Sequence, residues 1–255
     1  MDKREFILST IPRMAEYTFP YITSVIGVSD LNGGEHVGSG LRCILDGRRA
    51  VVTAEHVIQR AIRYPAGMAI STGFGKKPFL VHGEIRVDAI RDIAVYHLPP
   101  DYPDDVDDVK FWAQDRIDES DDRLSTDYLF VHGFPGKRSR FLALGPGVFS
   151  KSLPYGAMQR LEALPSDLRS DQFALDFDPT NMHSLDAETD FAVDPHGLSG
   201  SPVWRIGLSG RSAAEWKPEL SLIVGFLTQW RPAEKVIVAS RASHFSSHST
   251  ALLRE

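Results

Sequence analysis

Two sets of short apolar runs, each closed by turn residues, constrain this chain more than any other feature in it. In the first set Tyr21 to Leu31, Val37 to Leu45, Arg49 to Thr53, Ala69 to Gly73, Phe79 to Val87 and Ile93 to Leu98 read as strands, rich in Val, Ile and aromatic residues. In the second set Tyr128 to Phe134, Arg140 to Ser150, Phe173 to Phe177, Pro202 to Ile206, Leu220 to Thr228 and Lys235 to Ala239 read the same way. Asn32-Gly33-Gly34 marks a turn. Asp46-Gly47 marks a tight hairpin, because both central positions of such a turn need residues that tolerate positive φ. Six strands on either side of the acidic stretch Asp101 to Asp127 make the chain all-β. The first twenty residues are expected to form a short helix around Pro12 to Tyr17.

Three segments, in the order His, Asp, Ser, carry the chemistry: Val52-Thr53-Ala54-Glu55-His56, Arg91-Asp92-Ile93-Ala94-Val95 and Gly197-Leu198-Ser199-Gly200-Ser201-Pro202. A serine hydroxyl is a poor nucleophile at neutral pH. It needs a base within hydrogen-bond reach, and the base needs a carboxylate to fix its tautomer and stabilise the imidazolium. Histidine suits the base because it gains and returns a proton near neutrality. Gly197 and Gly200 leave room for backbone N–H groups to converge on an oxyanion. Each residue also has a plainer reading. His56 is one of nine histidines, Asp92 has a rival carboxylate in Asp88, and Ser199 has a rival hydroxyl in Ser201. Asp92 is preferred because the apolar run Ile93-Ala94-Val95 follows it directly. His244 and His248 have helical spacing but no carboxylate or cysteine companion, which favours a solvated face over a metal site.

With these residues in view, the chain resembles the trypsin-like, double β-barrel serine peptidases, and within them the bacterial HtrA-like branch without a PDZ domain. Thr53-Ala54-Glu55-His56 is similar to the family's T-A-x-H, Asp92-Ile93-Ala94-Val95 to D-[IL]-A-[VL], and Gly197 to Pro202 to G-x-S-G-G-P. Thr189-Asp190-Phe191-Ala192-Val193-Asp194-Pro195 resembles the T-D-x-A-x-N-P of HtrA proteins, with one extra residue before the serine. Gly38-Ser39-Gly40 and Gly133-Phe134-Pro135 match two further landmarks, so the likeness spans roughly residues 20 to 240.

The resemblance implies two six-stranded antiparallel barrels with the active site in the cleft between them. Residues 20–100 would form the first barrel, 101–127 an acidic connection, 128–240 the second barrel and 241–255 a short C-terminal helix, all in one peptidase domain over 1–255. It implies Ser199 as nucleophile, His56 as base then acid, Asp92 as orienting carboxylate, and the N–H groups of Gly197 and Ser199 as the oxyanion hole. Thr228, Gln229 and Trp230 would lie along the primary specificity pocket, whose floor falls at Val193 or Asp194. Asp194 in the floor would select Arg or Lys. Val193, the preferred reading, would select small aliphatic side chains.

Departures from the family pattern matter too. Leu198 stands where digestive trypsins carry the aspartate that pairs with a freshly cut N-terminus, so that route of activation is closed. Ser201 replaces a glycine. Glu55 places a carboxylate beside the base, where it would either raise the histidine pKa or hydrogen-bond a loop. The extra residue around His196 reshapes the oxyanion loop and leaves room for a partner or substrate to order it.

Composition narrows the setting. The stretch Asp101 to Asp127 carries eleven acidic residues against Lys110, Arg116 and Arg123, so it holds more than the whole net charge of -6. It reads as a solvated connection pinned by Phe111 and Trp112, with an acidic exosite for basic substrates as the alternative. No basic stripe with interleaved aromatics argues for nucleic acid, and no run reaches the roughly 18 apolar residues of a membrane span. Cys43 is the one cysteine. With no signal-like apolar core near the N-terminus, it favours a reducing, cytoplasmic setting. The expected activity is endopeptidase hydrolysis through an acyl-enzyme, with no metal or organic cofactor, a polypeptide substrate and an activating partner or signal. The alternatives are a silent trypsin-like scaffold, and an esterase, which would be expected to have a G-x-S-x-G elbow.

Overall fold

The computed structural model describes residues 3–30, 33–72, 77–102, 109–118, 127–141, 148–178, 194–208, 210–212, 214–244 and 251–253. Helix α1 (Lys3–Thr18) leads into β1 (Ile22–Asp30), β2 (Gly33–Leu45) and β3 (Arg48–Thr53). Leu45 pairs with Arg48 across a two-residue turn in which Asp46 and Gly47 have φ of 50° and 72°, the conformation that an Asp-Gly hairpin requires. Helix α2 (Glu55–Ala61) follows, then β4 (Met68–Ile70), β5 (Phe79–Leu80), β6 (Ile85–Asp88) and β7 (Ile93–His97). The ladder runs β6-β7-β3-β2-β1-β4-β5, every neighbouring pair antiparallel. Among the described residues no ladder joins β5 to β6, so this barrel is open along one seam.

The second barrel closes. It contains β8 (Leu129–Gly133), then, beyond the separate hairpin β9 (Ser139–Phe141) and β10 (Val148–Ser150), β11 (Leu153–Ala157), β12 (Gln159–Arg160), β13 (Gln172–Asp176), β14 (Pro202–Arg205), β15 (Leu222–Arg231) and β16 (Val236–Arg241). The order is β11-β8-β14-β15-β16-β13-β12. Only Met158 separates β11 from β12, so the two ends of the sheet are halves of one bent strand and the ring has six members. This is the trypsin-like double-barrel fold expected from the sequence.

The three largest apolar clusters among the described residues fill most of it. Val25, Val51, Val57, Ile58 and Tyr96 lie inside the first barrel. Leu129, Val131, Phe173, Leu175 and Val203 lie inside the second. Leu41, Cys43, Trp112, Phe130, Trp204 and Met14 of α1 form the third, which draws on both. The interface is therefore apolar and tightly filled, with the Trp112 and Trp204 rings edge-on at 6.1 Å. Such burial makes relative motion of the barrels costly.

Several elements differ from the sequence reading. The N-terminal helix is four turns long and passes through Pro12, and Thr18 near its end hydrogen-bonds His132 at 2.7 Å. Packing of Ile11 and Met14 onto the barrels supplies what the proline removes. Phe79 to Val87 is split into β5 and β6, and Arg140 to Ser150 is a hairpin, not one strand. The bent strand β11/β12 was not anticipated, because Pro154 and Gly156 break the alternation that signals a strand.

The expected closing helix over 241–255 is not what the described residues there form. Ala242–His244 is a single 3-10 turn, and Ala251–Leu253 is a strand, β17, paired antiparallel with β6. Serines and histidines between them are poor helix formers, and β6 offers a free edge. His248 and residues 191–193, including Val193, lie outside the described residues.

Candidate active site

His56 sits in the first turn of α2, directly after β3, where Ala54 in extended conformation releases the chain from the sheet. Glu55 is the first residue of that helix, and an acidic residue in the first turn is a stabilising placement against the helix dipole. Asp92 closes the four-residue turn between β6 and β7. Its φ of 55° puts it in the left-handed region, which aspartate tolerates better than most residues. From there one carboxylate oxygen accepts the backbone N–H of His56 at 2.9 Å and the other lies 2.7 Å from Nδ1. Such two-point attachment fixes ring orientation and makes Nδ1 the protonated nitrogen, leaving Nε2 as the basic one. His56 is exposed and Asp92 partly buried, with side-chain exposures of 48% and 25%.

The rival carboxylate, Asp88, has another task. It accepts the Arg91 N–H at 3.1 Å and pairs with the Arg91 guanidinium at 2.6 Å, thereby closing the turn that presents Asp92. Burial works to raise its pKa, but these Arg91 contacts outweigh that and hold it below the ordinary carboxylate range.

The loop carrying Ser199 comes from the second barrel and is fixed by its backbone. The Ser199 carbonyl accepts the Ser39 N–H at 2.8 Å, a bond that crosses from one barrel to the other. A Cβ on Gly200 would lie 2.1 Å from the Ser39 carbonyl oxygen and 2.2 Å from Thr53 Oγ1, so the loop lies directly against the end of β3 that leads to His56. Gly200 also has φ of 83°, which only glycine adopts freely. Ser199 is half-buried, whereas Ser201 is wholly buried and its hydroxyl has no hydrogen-bond partner. A reagent in the cleft therefore reaches Ser199 and not its rival. Among the described residues no hydrogen bond joins Ser199 Oγ to the His56 ring.

Two backbone donors stand free beside Ser199. The His196 carbonyl accepts the Gly136 N–H at 2.7 Å. In a planar trans peptide the N–H opposes the C=O, so the Gly197 N–H points the other way. Neither it nor the Ser199 N–H has a partner among the described residues. The Gly197 carbonyl is held in turn by Ser39 Oγ at 2.8 Å and His36 Nε2 at 3.2 Å. His36 is buried, its Nδ1 lies 2.5 Å from Ser24 Oγ, and burial pushes its pKa down to about 4. It is thus a neutral donor from the first barrel onto the loop of the second. Sequence reading missed His36, since nothing in Glu35-His36-Val37 distinguishes it from an ordinary strand residue.

Of the residues expected along the specificity pocket, Asp194, Thr228, Gln229 and Trp230 lie among the described residues. Thr228 is the bulged residue of β15, buried, with its hydroxyl donating to the Val238 carbonyl at 3.4 Å. Gln229 is exposed and receives Arg231 Nε at 3.0 Å, and Trp230 meets the His196 ring edge-on at 5.5 Å. Beyond Phe226, β15 pairs only with β16, so its other edge from Thr228 to Arg231 has no strand beside it among the described residues. Asp194 is not an unpaired floor carboxylate. It accepts the His196 N–H at 3.1 Å and pairs with Lys137 at 3.2 Å. Burial works against its ionisation, but these partners lower its pKa overall.

No family model matches the chain, and no curated protein does. Among solved structures it is similar to the tobacco vein mottling virus protease, at 13% identity over 89% of this chain and 78% of that one, with a TM-score of 0.46. It is also similar to a catalytically active tobacco etch virus protease complexed with product, at 11% identity over 92% and 80% with a TM-score of 0.47. A third similar structure bears on the coupled folding and binding of the Sesbania mosaic virus VPg protein, at 16% identity over 88% of each chain with a TM-score of 0.47. The roles of individual residues rest on the geometry of the site itself.

The described residues contain no group of three or more His, Cys, Asp or Glu side chains placed to hold a metal. No helix among them is long and apolar enough to cross a membrane.

Proposed function

We propose that this chain is a serine endopeptidase of the trypsin-like kind, cleaving polypeptides through an acyl-enzyme on Ser199. The observation that carries the reading is the double attachment of His56 to Asp92, ring and backbone, beside a loop that exposes one serine and buries the other. In the reaction Ser199 Oγ attacks the scissile carbonyl carbon while its proton passes to His56 Nε2. The oxyanion is met by the Gly197 and Ser199 N–H groups. His56 then returns the proton to the departing amine, and water repeats the sequence to free Ser199. The edge of β15 that has no strand beside it among the described residues suits an extended peptide, which a small ester would not need.

Control is proposed to come from a partner protein or the substrate itself. The absence of a Ser199–His56 hydrogen bond among the described residues fits a pair that tightens on binding. The resemblance of the run up to Pro195 to HtrA-like proteins supports an affinity with that branch, and the one buried thiol suits a reducing cytoplasm. The pairing of Asp194 with Lys137 favours an apolar primary pocket with Val193 on its floor.

A fluorophosphonate probe tests the reading. The native protein is expected to label, and Ser199→Ala to abolish labelling. Turnover of a peptide substrate is expected to fall by about 10⁴ to 10⁶ in Ser199→Ala and in His56→Ala, with the double variant little worse. A silent scaffold would leave the probe unreacted at every pH, and labelling that survives Ser199→Ala would rule out this nucleophile.

A further inference from the structure

Arg91, the residue before Asp92, is held from both barrels through its N–H, its carbonyl and its guanidinium, although its Nε, 3.5 Å from Asp171, makes no hydrogen bond. Its N–H and guanidinium are held by Asp88 within the turn. Its carbonyl accepts Ser240 Oγ at 2.6 Å, and Ser240 is wholly buried on β16 of the second barrel. Its guanidinium also lies 3.5 Å from Asp171, which leads into β13 of the same barrel. Asp171 is anchored on its own side by Arg169 at 2.8 Å, and its carbonyl accepts the Arg241 N–H at 2.9 Å.

The following residue, Asp92, has φ of 55°, a conformation that persists in a non-glycine residue only where its surroundings determine it. A rotation of the Arg91–Asp92 peptide would carry the carboxylate away from His56 and break the Ser240 bond together. We propose that Ser240 and Asp171 are positioning residues, a clamp from the second barrel that sets Asp92 and hence the His56 base in the first. The proposal rests on the serine-peptidase reading for its kinetic consequence only. The base is then aligned only while the barrels are docked, so a ligand that shifts their docking reaches the base through Arg91.

The test follows the His56 Nδ1 proton by NMR, a signal strongly deshielded when that proton lies in a short bond to a carboxylate. In the full-length protein Ser240→Ala is expected to shift this resonance upfield or abolish it, with secondary structure by circular dichroism unchanged. Asp171→Asn, which alters a partly exposed charge, is expected to move it less in the same direction and covers the case in which Ser240→Ala does not fold. In turnover, kcat is expected to fall by up to about 100-fold with KM within about twofold, as for a displaced catalytic group. An unchanged resonance in either folded variant overturns the clamp. A wild-type protein that shows the resonance but no turnover overturns the peptidase reading while leaving the clamp measurable through the resonance.

Discussion

The two halves of the site are built from different materials. The first barrel presents its residues through side chains: Asp92 grips His56, Asp88 grips Arg91, and both bonds depend on charge. The second barrel presents Ser199 through backbone, with carbonyls of His196, Gly197 and Ser199 each held from outside the loop and glycines where a side chain would collide. A side-chain construction tolerates small shifts, because a carboxylate can follow its partner. A backbone construction does not, because moving one peptide turns the next. The nucleophile loop should therefore be the more fragile half, and three perturbations test that contrast.

The largest effect is expected from Gly197→Ala. A Cβ there would lie 2.6 Å from the Gly136 nitrogen and 2.7 Å from His36 Nε2, at a φ of 94° that alanine avoids. The peptide must turn, taking the N–H donor with it. The expected loss is that of an oxyanion donor, about 10² to 10³-fold in kcat. His56 and Asp92 should stay paired, as their Nδ1 proton resonance would report. Near wild-type turnover from Gly197→Ala would remove the Gly197 N–H from the mechanism.

A second perturbation is pH, acting on the buried histidines that brace the structure. Burial holds His36 at about 4 and His132, between Thr18 and Ser152, at about 3, against about 6.5 for an exposed histidine. Between those values the unfolded chain binds the proton and the folded chain does not, so stability falls as pH falls below 6.5. Above 6.5 the contribution is fully present. Each histidine adds a slope of about 1.4 kcal/mol per pH unit, down to its own folded pKa. Urea midpoints from pH 7 to pH 5 avoid most carboxylate titration and should drop, with a reduced slope left in His132→Gln, because His36 and the buried His97, whose pKa burial also lowers, still contribute. A flat profile across that range would mean that these rings are not held neutral.

Much of the frame was legible in the sequence, and the reasons are local. Asp46-Gly47 specifies its hairpin alone, and the residues around His56, Asp92 and Ser199 are close-range patterns that survive without tertiary context. What escaped reading is set at long range. β11 and β12 become one strand because β8 and β13 bind its two ends, and β17 forms because β6 lacks a neighbour. His36 and Ser240 look like any strand residue, since their roles depend on a carbonyl 161 residues away for one and 149 residues away for the other. The sequence already favours Ser199 over Ser201, which stands where the resembling family has its second glycine, and the burial of Ser201 adds an argument that no spacing supplies.

That choice gives the smallest and sharpest test. Ser201 Oγ is buried without a partner, and a Cβ on Gly133 would come within 1.8 Å of it, so the hydroxyl fills space without bonding. Removing a polar atom that forfeited its hydration on folding costs little and relieves that penalty, while the void left is a single oxygen. Ser201→Ala is therefore expected to change unfolding free energy by no more than about 1 kcal/mol, on the stabilising side. Fluorophosphonate labelling should persist. If the variant lost about 2 kcal/mol or more, the hydroxyl would have to be hydrogen-bonded in solution, and Gly200 to Pro202 would be packed differently from the loop described. If it kept stability but lost labelling, the nucleophile would be Ser201, and the backbone-built half of the site would have to open before it could act.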